Sequence, residues 1–230
     1  MDGSRPLNWV ITAEHASRRL PDGVDLGVSE EVLQSHVAWD PGALELAQAL
    51  GDRLGVVPFL GEYTRLYVDL NRSEDREAVI PAVAFGTPVP GNAGADRESR
   101  LQAVYRPWRK RVEIAVGGAL PCVHLSIHSF TPIYDGVVRP MDVGVLFDPE
   151  RSPEAEISEY LLREFRSSGF VAEANQPYLG TGDGHTTWLR ARYPKGYVGI
   201  EIELSQRIVF SEGIQRAAEV LSRAARGVGP

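Results

Sequence analysis

Three short strings hold the residues best suited to chemistry: ITAEHAS at 11–17, YVDLNR at 67–72 and LSIHSF at 125–130. Each sits where an apolar, strand-like run gives out. Open α/β sheets build their sites outside the carboxyl ends of the strands, from residues distant in sequence. A fourth run, GIEIEL at 199–204, ends on Glu201 and Glu203. Two histidines, an Asn-Arg pair and several carboxylates therefore gather at one edge. That inventory suits a metal ion beside a pocket for an anionic substrate, which is the equipment of a hydrolase.

Each residue also has a plainer reading. His15 follows the first strand directly, and a lone histidine there is commonly just a satisfied polar group. His124 and His128 lie four residues apart, so with Ser126 they share one strand face. Only His128 reaches the strand end; His124 is deeper and reads as a core or supporting residue. Two imidazoles and one carboxylate make the open three-ligand set of a catalytic zinc, but no HExxH or HxxE spacing is present. In YVDLNR, alternation places Asn71 and Arg72 at the mouth. A guanidinium grips a carboxylate in two-pronged fashion and a neighbouring amide adds a directed bond. The alternative is a surface ion pair with Asp69. Asp40 precedes a helical run and is by position an N-cap. Glu201 and Glu203 share one face of a buried strand, where unpartnered carboxylates are costly, so a metal or an arginine is implied nearby.

These residues need a scaffold. The spacing predicts strands at 8–13, 56–60, 66–70, 121–128, 142–147, 170–174 and 197–204. Helices are expected at 41–54, 96–116, 153–167 and 212–225, with Pro107 kinking or splitting the second. Residues 73–95 read as a loop covering the site, and 175–185 as a Gly-rich loop leading into a short helix. Strands alternating with helices predict a single α/β domain over 1–230, with a mainly parallel mixed sheet and helices on both faces.

Composition narrows the partners. The chain is 43% hydrophobic and 24% charged, with a net charge of −7. A nucleic-acid backbone is therefore an unsuitable partner and a small molecule a suitable one. No apolar run approaches the ~20 residues of a membrane span, and the polar start does not resemble a signal peptide. The single cysteine, Cys122, reads as a buried inert thiol. A cytoplasmic protein is the expectation.

In order and spacing, EHAS, HVAWDPGA, YTRLYVDLNR, HSFTP, GDGHTT and EIELSQ resemble the N-formylglutamate amidohydrolase family. That family is similar in fold to zinc carboxypeptidases and aspartoacylases. The likeness runs from about Asn8 to Gln206. It implies a zinc-type hydrolase that removes a formyl or small acyl group from an acidic amino acid, N-formyl-L-glutamate first. It also implies one divalent metal, zinc by preference, on His15 and His128. Carboxypeptidase-like sites take a glutamate three residues after the first histidine. Arg18 stands there, which leaves Asp40 as the third ligand, with Glu14 behind it. By the same likeness Asn71 and Arg72 bind a substrate carboxylate, Arg65 a second one, and Glu203 is the catalytic carboxylate. His185 would touch substrate or a developing oxyanion. A hydrolase of another N-acyl amino acid or small peptide, and a metal-free binding module on the same fold, are the competing readings.

Overall fold

The computed structural model describes residues 7–210 and 212–227, so both ends of the expected 1–230 unit and residue 211 lie outside the described residues. Strands β1 (Asn8–Ala13), β2 (Phe59–Leu60), β3 (Cys122–Phe130), β4 (Val143–Leu146), β5 (Ala172–Ala174) and β6 (Tyr197–Ser205) form a six-stranded sheet in the order β2-β1-β3-β6-β4-β5. Strand β4 runs antiparallel to β6, and every other neighbouring pair is parallel. The main helices are α1 (Ala43–Leu54), α2 (Arg106–Ala119), α3 (Ser152–Ser167), α4 (His185–Arg192) and α5 (Gly213–Gly227). Among the described residues no helix is long and apolar enough to cross a membrane.

The two-residue period of the strands divides the sheet into two unlike faces. One carries Ile11, Ala13, Val123, Leu125, Ile127, Ile200 and Ile202 and is sealed by α1, α3 and α5. Each fully buried aliphatic side chain there contributes about 1.5–3 kcal/mol relative to leaving it exposed. The other face is apolar only toward one end, where Val10, Cys122 and Tyr197 meet Trp108, Val112 and Leu189 of α2 and α4. Toward the carboxyl ends the same face turns polar, with Thr12, Ser126, His128 and Glu203 all buried. Helices thus lie on both faces of a mixed, mainly parallel sheet, in agreement with the α/β expectation.

Several local expectations are corrected. Residues 66–70 are turns, not a strand. Val68 and Leu70 are buried as the alternation implied, but the backbone bonds locally: Tyr67 N–H donates to Thr64 O at 3.0 Å and Asp69 N–H to Val79 O at 2.8 Å. The run at 56–60 keeps only Phe59–Leu60 as strand. Helix α1 begins at Ala43, and its N-cap is Gly42 with φ 86° and no side-chain cap bond, so Asp40 is not the cap. Only glycine suits position 42, because its φ is positive and a Cβ would lie 2.4 Å from Val209.

The 96–116 segment is split, as Pro107 requires. Arg97–Arg100 is α-helical, Leu101–Tyr105 widens into a π turn in which Arg106 N–H reaches Leu101 O, and α2 follows. Pro107 has no N–H to continue the regular ladder, so the irregular turn falls just before it. Residues 73–95 are not structureless. They contain a hairpin, Val83–Ala84 with Thr87–Pro88, whose turn residues Phe85 and Gly86 have φ 50° and 78°. A second hairpin, Ile133–Tyr134 with Val137–Val138, turns through Asp135 and Gly136 at φ 50° and 73°. Two successive positive φ values define the tight turn whose twist matches antiparallel strands.

Strand β4 lies close to a neighbouring loop. A Cβ at Gly144 would lie 1.9 Å from Gln176 O and 3.2 Å from Glu203 Cβ. Gly144→Ala must therefore move backbone, and is expected to cost about 1–3 kcal/mol by overpacking. Urea unfolding checks this; an unchanged midpoint and slope would show that the approach is not tight.

Candidate metal centre

Strand β1 delivers the first part of the site. It ends at Ala13, and the chain then places Glu14 and His15 at the edge of the polar face. Parallel pairing sets Thr12 beside Ser126, and β6 sets Glu203 beside His128. The loop before α1 supplies Asp40, fixed because its N–H donates to His15 O at 3.0 Å. His15, Asp40 and His128 are all buried, and three of their ligand-type atoms lie within 4.8 Å of one another. Asp40 Oδ2 is 2.9 Å from His128 Nδ1 and 3.3 Å from His15 Nδ1.

The far sides of both rings are also engaged. His15 Nε2 lies 2.7 Å from Asp69 Oδ1, which places its proton there and leaves Nδ1 with a free lone pair. His128 Nε2 lies 2.9 Å from Ser126 Oγ and 3.6 Å from Glu14 Oε2. Metal-binding histidines ordinarily point the second ring nitrogen at a carboxylate or similar group in this way. Burial, reinforced by the Arg65 charge, lowers the His15 pKa to about 4, so the ring is neutral at pH 7. Burial opposes ionisation of Asp69, but His15, Arg65 and Arg72 outweigh it and hold the carboxyl well below its usual range. Two imidazoles and one carboxylate in a confined space are the donor set of an open zinc site, so these residues fit a divalent cation.

Glu14 is not positioned as a ligand. Its oxygens accept from Thr12 Oγ1 at 2.8 Å and Ser126 Oγ at 2.8 Å, and His185 Nδ1 lies 2.9 Å away. Burial alone would raise its pKa, yet the His185 bond and the neighbouring His128 hold it well below the usual carboxylate range. Glu14 is thus a buried anion that braces His128 from behind. His124 extends the same network, with Thr12 Oγ1 at 2.8 Å and Tyr197 OH at 2.7 Å. Its place is inside the sheet face and away from the cavity, as its depth in the strand implied.

A cavity of about 370 Å³ opens over these groups, lined by His15, Asp40, His128 and both strand-end glutamates. Glu203 is buried, and its Oε2 has no hydrogen-bond partner among the described residues. Burial, with repulsion from Glu201, raises its pKa to about 7 against the opposing pull of His128 and Arg65. Glu201 differs, since Thr186 Oγ1 donates to its Oε1. Asn71 lines the cavity and is oriented by His185 N–H, which donates to its Oδ1 at 2.7 Å. Arg72 lines it too, half-exposed, with Nη1 donating to Asp183 O at 2.9 Å. Arg65 is buried against Asp40 through an ion pair, and its Nε has no hydrogen-bond partner among the described residues.

The expected site residues therefore assemble, with one exception. His185 opens α4 but turns inward, fully buried against Trp108 at 5.1 Å between ring centres, and does not line the cavity. The place expected for contact with substrate is instead behind Glu14 and Asn71. Sequence reasoning overlooked His36, Phe85, Tyr178 and Asp183, which also line the cavity. His36 opens the HVAWD string and Asp183 sits in GDGHTT, so both stood inside blocks already singled out.

Comparison with known proteins bears on this arrangement. A family model described as N-formylglutamate amidohydrolase matches residues 7–210. The chain is 26% identical over 234 residues to an N-formylglutamate deformylase of Pseudomonas putida, covering 91% of this chain and 84% of that protein. A solved structure from Agrobacterium tumefaciens superposes with a TM-score of 0.82 at 30% identity, over 97% of this chain and 90% of the other. An N-formylglutamate amidohydrolase structure from Ralstonia eutropha JMP134 shares the fold with a TM-score of 0.71 at 19% identity, over 98% and 94% of the two chains. With the match spanning nearly the whole described chain, this protein belongs to the N-formylglutamate amidohydrolase family.

Proposed function

We propose that the cavity hydrolyses the amide bond of an N-acylated acidic amino acid, with N-formyl-L-glutamate the first candidate. One observation carries this reading. Two imidazole Nδ1 atoms converge on one carboxylate oxygen in a cavity that also holds the unpartnered, raised-pKa carboxyl of Glu203. The names carried by the Pseudomonas putida and Ralstonia eutropha proteins support the substrate. His15, Asp40 and His128 would hold a divalent cation, zinc first on the donor set. When bound, such a cation polarises an amide carbonyl and acidifies water.

The remaining roles belong to the protein's own groups. Glu203 takes a proton from the attacking water and returns it to the departing amine nitrogen. A base whose pKa lies near the working pH is the most effective in this role. Glu201 is occupied by Thr186 and acts as a neighbour that keeps the Glu203 pKa up. Asn71 Nδ2 is the donor side of its amide, 3.5 Å from His128 Nε2, because Oδ1 is engaged by His185 N–H. Together with Arg72 it holds the substrate's α-carboxylate, fixing the scissile bond before reaction. Arg65 steadies Asp40 from the other side, and His185 acts through Glu14 and Asn71 without touching substrate. Phe85, Phe130, Leu146 and Leu179 give the cavity an apolar portion. That portion favours, as a second reading, acyl groups larger than formyl, which N-acetyl and N-succinyl substrates would reveal.

Three outcomes are expected. Glu203→Gln keeps metal content but loses at least ~100-fold in kcat, the usual reach of acid–base catalysis. Because Glu203 must be ionised to accept a proton, the acid limb of the wild-type kcat/KM profile disappears in this variant. A larger loss in Glu201→Gln than in Glu203→Gln would assign the base wrongly. Metal analysis gives about one zinc per chain for the parent protein, and strongly reduced zinc for His128→Ala and Asp40→Asn. Full occupancy in both variants would place the ion elsewhere. Arg72→Ala lowers kcat/KM by about 30- to 150-fold, the value of a charged hydrogen bond of roughly 2–3 kcal/mol. Replacing the substrate's α-carboxylate by an amide causes the same loss in the parent and little further loss in the variant; multiplying losses would mean that Arg72 acts elsewhere.

A further inference from the structure

An acidic N-acyl amino acid carries two carboxylates, and the groups assigned so far bind only one. Arg65 is poorly placed to take the second. Its guanidinium is buried against Asp40, so a substrate carboxylate there would compete with a residue of the metal cluster. A different arginine packs against the residues that wall the cavity. Arg139 follows the Ile133–Val138 hairpin and is caged by three aromatic rings, at 4.9 Å from Tyr134, 5.2 Å from Tyr178 and 5.9 Å from Phe130. Its Nη1 donates to Tyr178 OH at 3.3 Å and to Thr131 O at 3.5 Å, both long bonds to neutral groups. No carboxylate pairs with it among the described residues.

The residues that hold Arg139 also form the cavity wall, since Phe130, Thr131 and Tyr178 all line it. The guanidinium packs directly on two of these wall residues, Phe130 and Tyr178. An aromatic cage orients a planar cation at small entropic cost and shields it from water. A cation held this way and lacking an anionic partner is prepared to receive one.

We propose that Arg139 binds the side-chain carboxylate of the substrate and sets the preference for acidic over neutral N-acyl amino acids. This deepens the reading of the cavity as an amidohydrolase site and rests on it. The cavity's own charges agree with the assignment. Asp40, Asp183, Glu201 and Glu203 face Arg65 and Arg72, so a bound divalent cation only balances the lining. A substrate bringing two negative charges needs further positive charge close by.

The test compares N-formyl-L-glutamate with N-formyl-L-glutamine, which differ in the side-chain charge and little in size. In the zinc-loaded parent enzyme kcat/KM should favour the glutamate by about 10- to 100-fold, the reach of one charged hydrogen-bonded pair. Arg139→Gln should bring that ratio close to one by slowing only the glutamate substrate, and Arg139→Lys should restore part of it. An unchanged ratio in Arg139→Gln, or equal slowing of both substrates, overturns the proposal. A parent ratio near one also overturns it while leaving the amidohydrolase reading in place. If neither compound is hydrolysed, that reading fails. Calorimetric titration of zinc-loaded parent and Arg139→Gln with L-glutamate and L-glutamine then decides Arg139 by the same ratio.

Discussion

The structure depends on one carboxylate, that of Asp40, set between two imidazoles. Its Oδ2 faces His15 Nδ1 and His128 Nδ1, while its Oδ1 is held by Arg65. Around it lie Glu14, Asp69 and Glu203, all buried. Concentrating so many acids away from water is expensive unless each finds a partner, and removing one partner leaves an uncompensated charge. Here histidine rings, Arg65 and serine or threonine hydroxyls face most of the oxygens. Glu203 Oε2 remains unpartnered among the described residues. A divalent cation among His15, Asp40 and His128 would supply the missing positive charge and would also draw the Glu203 pKa downward.

Sheet register converts this electrostatic demand into geometry. Parallel pairing of β1, β3 and β6 puts Thr12 beside Ser126, Glu201 beside Ser126 and Glu203 beside His128. A slip of one residue would exchange the polar set with Val123, Leu125, Ile200 and Ile202, which the dry face needs. The helices that seal that face therefore also fix the polar edge. Glu14 contributes as a brace: it links Thr12, Ser126 and His185, so the α4 helix and two strands steady a single ring, His128. Supporting groups of this kind commonly influence metal affinity almost as much as the ligands do.

Much of this could be read in the sequence where local pattern and tertiary packing agree. Strand β1 has the bounds that its apolar run implied, and His15, Asn71, His128 and Glu203 reach the cavity. Asp40 carried two readings because a residue before a helix looks like a cap; the left-handed Gly42 takes the cap position, and Asp40 lies with His15 and His128. The 66–70 run misled because alternating burial is not confined to strands. A turn segment wedged under α2 buries Val68 and Leu70 while bonding to its own loop. His185 misled in the opposite direction. It lies in a Gly-rich loop of the kind that surrounds active sites, yet α4 packs on the sheet and rotates the ring inward. Arg139 gave no signal, because its aromatic cage is built from the end of β3 (Phe130), the second hairpin (Tyr134) and the distant loop before α4 (Tyr178).

Anomalous diffraction from zinc-soaked crystals, recorded on both sides of the zinc absorption edge, tests the centre most directly. The expected result is one strong peak in the cavity within coordinate-bond distance, about 2.0–2.2 Å, of His15 Nδ1, His128 Nδ1 and an Asp40 oxygen. A peak bonded to Glu14, or to the Nε2 atoms of the two histidines, would contradict the centre described here.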